Sequence, residues 1–542
     1  MMWKRRSMAL LLAGLFFFGY DGYSADKDIV ILYTNDIHCG VQDNEGLAAL
    51  VYYKEKMKEE TPYVALVDAG DAIQGTALGF LTKGEAMIRL MNAAGYDVAI
   101  PGNHEFDYGM NQFLALAGQL NGGYYSANIR NRQTGDYLLP PYKLMEFGGT
   151  KIAFVGITTP DTLQSSTPVF FQDGRGQYIY SFGQEDGGRR LYADVQRAVD
   201  QAKADGAEYV IAVAHMGIGG VPEIWSSAAL VRHTRDIDAV IDGHSHEINE
   251  TTIVQNKENE PVPITQTGTK LKRIGKMTVG TTGRIKMKLL SGIQGRDKKM
   301  QQHIDEETSR LETVLAQPVG WADTPLYSYD PETGKRLVRN SETNLGDLVA
   351  DAHRAVLHTD IALYNGGGVR GSLPQGQIMY RNMMEVLPFG NDAAAIEATG
   401  QDILNALEWG AAAYPDEAGG FLQVSGLTYT IDADTPSSVV CDEWGQFVRV
   451  AGPYRVRNVT IGGKPLERSR VYTVGGTAYI LQNGGNGFTM FSQAKQVPRE
   501  ALTETEVLLR YIKDELQGRI GFGYTAVQGQ GRIRIEKMGK IS

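Results

Sequence analysis

The chain has 542 residues, too many for one hydrophobic core, so two or more domains are expected. With 42% hydrophobic and 21% charged residues it has the composition of a globular protein rather than a disordered one. The formal net charge of −10 argues against nucleic-acid polymers or an anionic membrane as main partners, because both need clustered Lys and Arg. A small anionic partner, whose charge is met locally, remains open.

Lys4, Arg5 and Arg6 precede a nearly unbroken apolar run from Met8 to Tyr20, and small residues stand at Gly22 and Ser24. This is the pattern of a signal peptide over residues 1–24, cut after Ser24, and it predicts an exported chain, periplasmic or extracellular. The run is shorter than the roughly 20 residues that span a bilayer. No other segment is apolar enough, so the mature chain is expected to have no integral membrane span. Cys39 and Cys441 are the only cysteines and lie near opposite ends; both read as free thiols.

From residue 25 to 296 short β-rich runs alternate with helical stretches. Ile29 to Tyr33, Val64 to Val67, Val98 to Ile100, Ile152 to Ile157, Tyr209 to Ala214 and Ala239 to Ile241 read as buried strands. Gly46 to Glu60 and Leu191 to Asp205 read as helices. The pattern predicts a layered α/β domain whose ligands bind beyond the strand C-termini. Residues 297–318 are predicted to form one polar amphipathic helix joining the domains. A second α/β region is expected over 319–536, with Gly-rich turns at Gly366 and Gly484.

Five motifs share one chemical theme, each placed where a strand stops. They are Asp36-Ile-His38, Gly70-Asp71, Asn103-His104-Glu105, His215, and Gly243-His244-Ser-His246. Were their strands neighbours in one sheet, all five would converge on one rim. Carboxylate, imidazole and amide oxygen together suit divalent ions such as Zn²⁺, Mn²⁺ or Co²⁺. Five of the nine histidines fall in these motifs, which separates a site from scattered core histidines.

These strings, with Thr343-Asn-Leu-Gly-Asp-Leu, Asn365-Gly-Gly-Gly-Val-Arg370, Leu387-Pro-Phe389-Gly and Asn483-Gly-Gly-Asn-Gly-Phe488, resemble the bacterial 5′-nucleotidase family. The resemblance covers nearly the whole mature chain. It implies a calcineurin-like metallophosphatase domain, a layered β-sandwich flanked by helices, and a second α/β domain that binds the nucleotide. Carried onto this chain, it implies that Asp36, His38 and His246 hold one divalent ion, that Asn103, His215 and His244 hold another, and that Asp71 bridges them. It further implies that His104 steadies the phosphoryl group or passes a proton, oriented by Asp107, and that Asn365, Arg370 and Phe389 contact the substrate. The implied reaction releases phosphate from nucleoside 5′-monophosphates by attack of a metal-bound hydroxide. The alternatives are 2′,3′-cyclic nucleotides or 3′-nucleotides, nucleotide sugars, a sulfur-chain hydrolase needing a carrier protein, or a non-catalytic binding protein. A monomer and a homodimer are both compatible with it.

Three positions depart from the family pattern. Ser341 stands where many members have Arg, with Arg336 or Arg339 as candidate replacements. Ile480, beside Tyr479, stands where a second base-stacking aromatic is usual. Asn486 stands where an Asp usually grips the ribose hydroxyls. Cys39, directly after His38, reads as a buried thiol beside the site rather than a ligand.

Overall fold

The computed structural model describes residues 25–536 apart from 174, 220, 221 and 443. The expected signal peptide, residues 1–24, lies outside them. Among the described residues no helix is long and apolar enough to cross a membrane.

The strand Ile29–Thr34 is buried along its whole length. Its side chains alternate between two cores, as the two-residue period of a strand dictates. Ile29, Ile31 and Tyr33 point into one apolar layer with Ala65, Val67, Phe154, Ile211, Val213 and Ile241. Val30 and Leu32 point into another, shared with helices Leu47–Glu60 and Glu85–Ala94. The first layer is the seam between two sheets. One has the order Ile285–Leu290, Ile274–Val279, Ile29–Thr34, Val64–Asp68, Val98–Ala99. The other has the order Ile248–Gln255, Pro261–Thr267, Ala239–Ile241, Tyr209–His215, Thr150–Thr158, Tyr142–Phe147. Helix Arg189–Ala204 covers the far face of the second sheet through Leu191, Val195 and Val199. The result is a four-layer α/β/β/α sandwich. The six predicted strands are all present, but they fall in two sheets, so the single rim expected from one sheet is instead built where two rims meet.

Parallel register brings the strand ends level. Thr34 pairs with Asp68 and Asp68 with Ala99 in the first sheet. In the second, Thr158 pairs with His215 and Val213 with Ile241.

Helix Lys298–Leu315 starts on Asp297, whose Oδ1 accepts from the Met300 amide at 2.7 Å. It is docked rather than free. Met300 and Ile304 are buried in the first domain's core, and Arg89 pairs with Glu307 at 2.8 Å. Arg381 of the second domain reaches Glu312 at 2.6 Å.

The second domain centres on a mixed sheet of order Leu422–Ser425, Ile361–Asn365, Val471–Thr477, Ala393–Thr399, Lys495–Gln496. Helix Asn344–Val356 packs on it, started by Thr343, whose hydroxyl accepts from the Gly346 amide at 3.0 Å. Strand Ile361–Asn365 runs into the Gly366–Gly368 turn. A Cβ at Gly366 would stand 2.1 Å from the Val338 carbonyl oxygen, so only glycine fits there.

The two domains meet at several points. The Tyr479 hydroxyl donates to the Gln164 carbonyl at 2.6 Å. Trp444 stacks on Tyr178 at 4.5 Å with the Arg132 guanidinium over its ring, and Gln446 Nε2 donates to the Tyr178 hydroxyl at 2.6 Å.

Candidate metal centre and substrate cavity

The residues after the level strand ends form one buried cluster. His246 Nε2 lies 3.2 Å and His38 Nε2 3.9 Å from Asp36 Oδ1, and the two imidazole nitrogens are 3.1 Å apart. His215 Nε2 lies 3.1 Å from Asp71 Oδ2 and 3.9 Å from Asp36 Oδ1. His244 Nδ1 is 3.0 Å from Asn103 Oδ1. Asp36, His38 and His246 form one group able to hold an ion, and Asp36, Asp71 and His215 form a second. His215 is the last residue of its strand rather than the first beyond it.

The backbone is strained to place these groups. Asp36, His38, Asp71, His244 and His246 all have φ between 47° and 82°, a left-handed region that such residues seldom adopt. Strain of this kind persists where the surroundings over-determine it, and it clusters at functional sites.

The chemistry of the donor set fits divalent cations. Nδ1 of His38 donates to the Gln74 carbonyl at 2.9 Å and Nδ1 of His215 to the Ala69 carbonyl at 2.7 Å. Each ring therefore turns its Nε2 toward the carboxylates. His215 Nε2 is buried, and Asp71 Oδ2 faces it at 3.1 Å outside good hydrogen-bond geometry. Burial lowers the His215 imidazole, but Asp71 and Asp36 more than offset it, and it titrates at about 10. The cluster thus favours positive charge at that nitrogen. Burial holds His244 down at about 4 and puts His38 and His246 well below their usual range, so these rings are neutral and free to ligate. Burial pushes the Cys39 thiol up; its Sγ lies 3.4 Å from the Ala72 carbonyl, and it is a poor ligand at neutral pH. Cys441 is exposed, and neither cysteine is in a disulfide.

His104 Nδ1 donates to Asp107 Oδ2 at 2.6 Å, and Ser166 Oγ donates to Asp107 Oδ1 at 3.1 Å. Burial lowers the His104 imidazole, yet Asp107 and Asp71 outweigh it and the net shift is upward. The ring faces the inter-domain cavity next to Phe389, centroids 5.4 Å apart.

That cavity has a volume of about 870 Å³ and is walled by both domains. Asn103, His104, His244 and His246 form one end, and Asn365, Arg370, Phe389 and Asn486 line the second domain's wall. Arg370 lies 5.7 Å from the centre of the Phe389 ring. Arg336 and Arg339 also line the cavity, whereas Ser341 turns its carbonyl to Gln423 Nε2 at 2.8 Å. Burial and the neighbouring Arg336 lower Arg370 to about 10, and burial with both neighbours lowers Arg339 well below its usual range. Three guanidiniums crowded together form a locus for an anion. Ile480 is fully buried in the second domain's core and does not reach the cavity. The short helix Ala478–Leu481 turns it inward, leaving Tyr479 and Trp409 as aromatics on that wall.

Two acidic residues of the site had no role in the sequence reading. Glu105 is fully buried and accepts from the amides of Asp71, Ala72, Ile73 and Gly102 at 2.7–3.3 Å. It clamps together the loops that carry Asp71 and Asn103. Its adjacency to His104 was the available signal. Asp161 lines the cavity 3.8 Å from His244, and burial pushes it up to about 6. It follows strand Thr150–Thr158, so the strand-end rule that located the other motifs points to it as well.

Comparison with known proteins agrees with this geometry. Residues 29–247 match the calcineurin-like phosphoesterase family, and residues 319–493 match the 5′-nucleotidase C-terminal domain. The chain belongs to the 5′-nucleotidase family, and it is a metal-dependent phosphoester hydrolase. The 5′-nucleotidase of Vibrio parahaemolyticus is 26% identical over 534 residues, covering 90% of this chain and 89% of that one. The trifunctional nucleotide phosphoesterase protein YfkN of Bacillus subtilis is 26% identical over 537 residues, covering 90% of this chain but only 34% of its own length. The crystal structure of a 5′-nucleotidase precursor from Thermus thermophilus superposes with a TM-score of 0.77 at 26% identity, covering 94% of this chain and 99% of that one.

Proposed function

We propose that this chain is an exported phosphoesterase that hydrolyses nucleoside 5′-monophosphates to nucleoside and phosphate. The observation that carries the reading is the joining of two halves in one cavity. A cluster of metal-ligand side chains comes from the first domain, and three arginines with an aromatic come from the second.

Asp36, His38 and His246 would hold one divalent ion of the Zn²⁺, Mn²⁺ or Co²⁺ kind, and Asn103, His215 and His244 would hold another, with Asp71 contributing to both. When bound, such ions polarise a phosphoryl oxygen and bring the pKa of a water toward neutrality. The protein's own groups do the rest. Glu105 fixes the loops that position Asp71 and Asn103. Asp107 holds the His104 ring through Nδ1, so Nε2 faces the cavity and can donate to the phosphoryl or leaving oxygen. Arg370, with Arg339 and Arg336 beyond it, steadies the substrate's anionic part, and Phe389 with Asn365 contacts its remainder.

Support for export comes from the basic start and apolar run of residues 1–24, and from a structural neighbour described as a precursor. Cell fractionation with the N-terminal mass of the product tests it; a chain retained in the cytoplasm with residues 1–24 intact would refute it.

For the activity, the test is phosphate release by purified mature protein with Mn²⁺ or Zn²⁺. The panel holds 5′-, 3′- and 2′,3′-cyclic nucleotides and an aryl phosphate, since one relative is a trifunctional nucleotide phosphoesterase. Metal-dependent turnover led by the 5′-monophosphates is expected. Turnover of the aryl or cyclic esters alone would overturn the substrate assignment while leaving the phosphoesterase intact.

A further inference from the structure

One fully buried carboxyl of the second domain lies behind the cavity wall rather than on it, yet it holds the loop that carries Phe389. Glu504 is the first residue of helix Glu504–Arg510. Its partners are donors. The Tyr364 hydroxyl donates to Oε2 at 2.5 Å, and the Asn391 amide donates to Oε1 at 3.2 Å. The side-chain NH₂ of Asn391 lies 3.3 Å from both oxygens. Burial pushes the carboxyl up to about 7, and these donors pull the other way. Burying a carboxyl is costly unless such partners are supplied, so packing alone would be served better by an apolar residue.

Those partners lead to both loops of the substrate wall. Asn391 lines the cavity just after Phe389 and Gly390. Tyr364 immediately precedes Asn365, and its ring packs beneath the glycine turn: a Cβ at Gly368 would stand 2.8 Å from Tyr364 Cε1. The two loops are also tied to each other, since the Arg370 amide donates to the Val386 carbonyl at 2.9 Å. On either side of Glu504 the chain is bonded along the Phe389 loop. The Ala393 amide donates to the Leu502 carbonyl and the Glu504 amide to the Asn391 carbonyl, both at 2.8 Å. Thr505 Oγ1 donates to the Leu387 carbonyl at 3.1 Å.

The opposite side of the loop is pressed against the first domain. The Pro388 carbonyl accepts from Gln74 Nε2 at 3.4 Å, and the Gln74 carbonyl in turn accepts from His38 Nδ1. A Cβ at Gly390 would stand 1.7 Å from Phe80 Cε2, at a backbone φ of 67°, so only glycine fits there. Phe389 is thus fixed by Glu504 from behind and by the first domain in front.

We infer that Glu504 is a positioning residue for substrate binding: it sets the Phe389 ring, and with it the grip on the organic part of the substrate. This rests on the reading above that Phe389 contacts the substrate. The effect falls on binding rather than on chemistry, because the metal-ligand cluster lies in the other domain and His104 has its own anchor in Asp107. Residue 504 stands outside the stretch 319–493 that matches the family's C-terminal domain, so none of the motifs in that stretch assigns it a role.

The test compares kcat and KM for adenosine 5′-monophosphate in the metal-loaded wild type, Glu504→Gln, Phe389→Ala and the double variant. Glu504→Gln keeps the shape but turns an NH₂ toward groups that are themselves donors. It is expected to raise KM about 3–10-fold with kcat within about twofold of the wild type. Phe389→Ala is expected to raise KM by at least as much. The double variant is expected to rise no further than Phe389→Ala alone, because one residue acts through the other. Metal content and thermal melts check folding. Should Glu504→Gln misfold, Tyr364→Phe removes one of the same bonds, and a smaller rise in KM with the same non-additivity is expected. An unmoved KM in a folded Glu504→Gln or in Phe389→Ala overturns the inference. So do additive effects in the double variant, or a loss carried by kcat, since either marks a general loss of structure. Turnover of an aryl phosphate with no nucleotide would overturn the nucleotide reading alone; the same comparison on the aryl ester then decides the role of Glu504.

Discussion

The two walls of the cavity reach function by opposite physical routes. The first domain's wall concentrates charge: Asp36, Asp71 and His215 lie within ion-holding distance of one another, fully enclosed, on backbones bent into the left-handed region at both aspartates. The second domain's wall carries three arginines and two acids, Glu417 and Asp442, and in places has no side chains at all, with glycines at 367, 368, 419 and 420 beside two paired amides. On the proposed reading, one wall holds metal and does chemistry, and the other admits and orients the substrate. Charge in a low-dielectric site demands fixed partners, whereas shape and neutral hydrogen bonds tolerate variety in what they meet.

The division can be broken at its strongest point first. Asp71→Ala should cost on the order of 10³-fold in turnover and lower the bound metal below two ions per chain, read by phosphate release and metal analysis. Full activity in that variant would leave the charged wall without its proposed role. Next in size, His104→Ala should lose about 10²–10⁴-fold in kcat with metal content unchanged. Asp107→Asn should lose less, because it acts through the ring that it holds.

A smaller effect separates the walls directly. Arg370→Ala should lower kcat/KM by about 10–100-fold, mostly through KM, while the metal content stays at the wild-type level. If metal were lost with the arginine, the walls would not be independent.

The smallest effect concerns pH and the second domain alone. His353 is fully buried, its Nδ1 donating to the Val349 carbonyl at 2.9 Å, and burial holds its imidazole down at about 4. Folded chain keeps it neutral where unfolded chain, with the ordinary value of 6.5, takes up a proton. Its stabilising contribution is therefore complete above pH 6.5 and lost as pH falls toward 4, by up to about 3 kcal/mol. Thermal melts across that window should show a slope that His353→Gln flattens. An unchanged slope would place the acid sensitivity elsewhere, with the ligand cluster of the first domain as the next place to look.

Much of the first domain was legible in the chain because buried parallel strands are short apolar runs with polar residues at their ends. Ile29 to Tyr33 and Tyr209 to Ala214 show this plainly, and the ligand types concentrate just beyond them. The second domain's wall was harder to read. Ile480 looked like a cavity residue beside Tyr479, and only the turn of a four-residue helix sends one inward and the other to the cavity. Arg336 and Arg339 were candidates to replace the charge missing at Ser341, but nothing local showed which of them reaches the cavity; both do. Glu105 went without a role because its four bonding partners lie on two separate loops.

The amino-acid sequence by itself determined the family, through its motifs, and the α/β layering, and it concentrated candidate metal-ligand side chains just beyond the strands, because motif chemistry and periodicity are local properties. Tertiary structure alone decided that the ligands come from two packed sheets rather than one. It also decided that Glu105 clamps their loops, and that Asn365 and Asn486, 121 residues apart, bond to each other on the opposite wall. Those outcomes depend on contacts between distant segments, which no local pattern encodes.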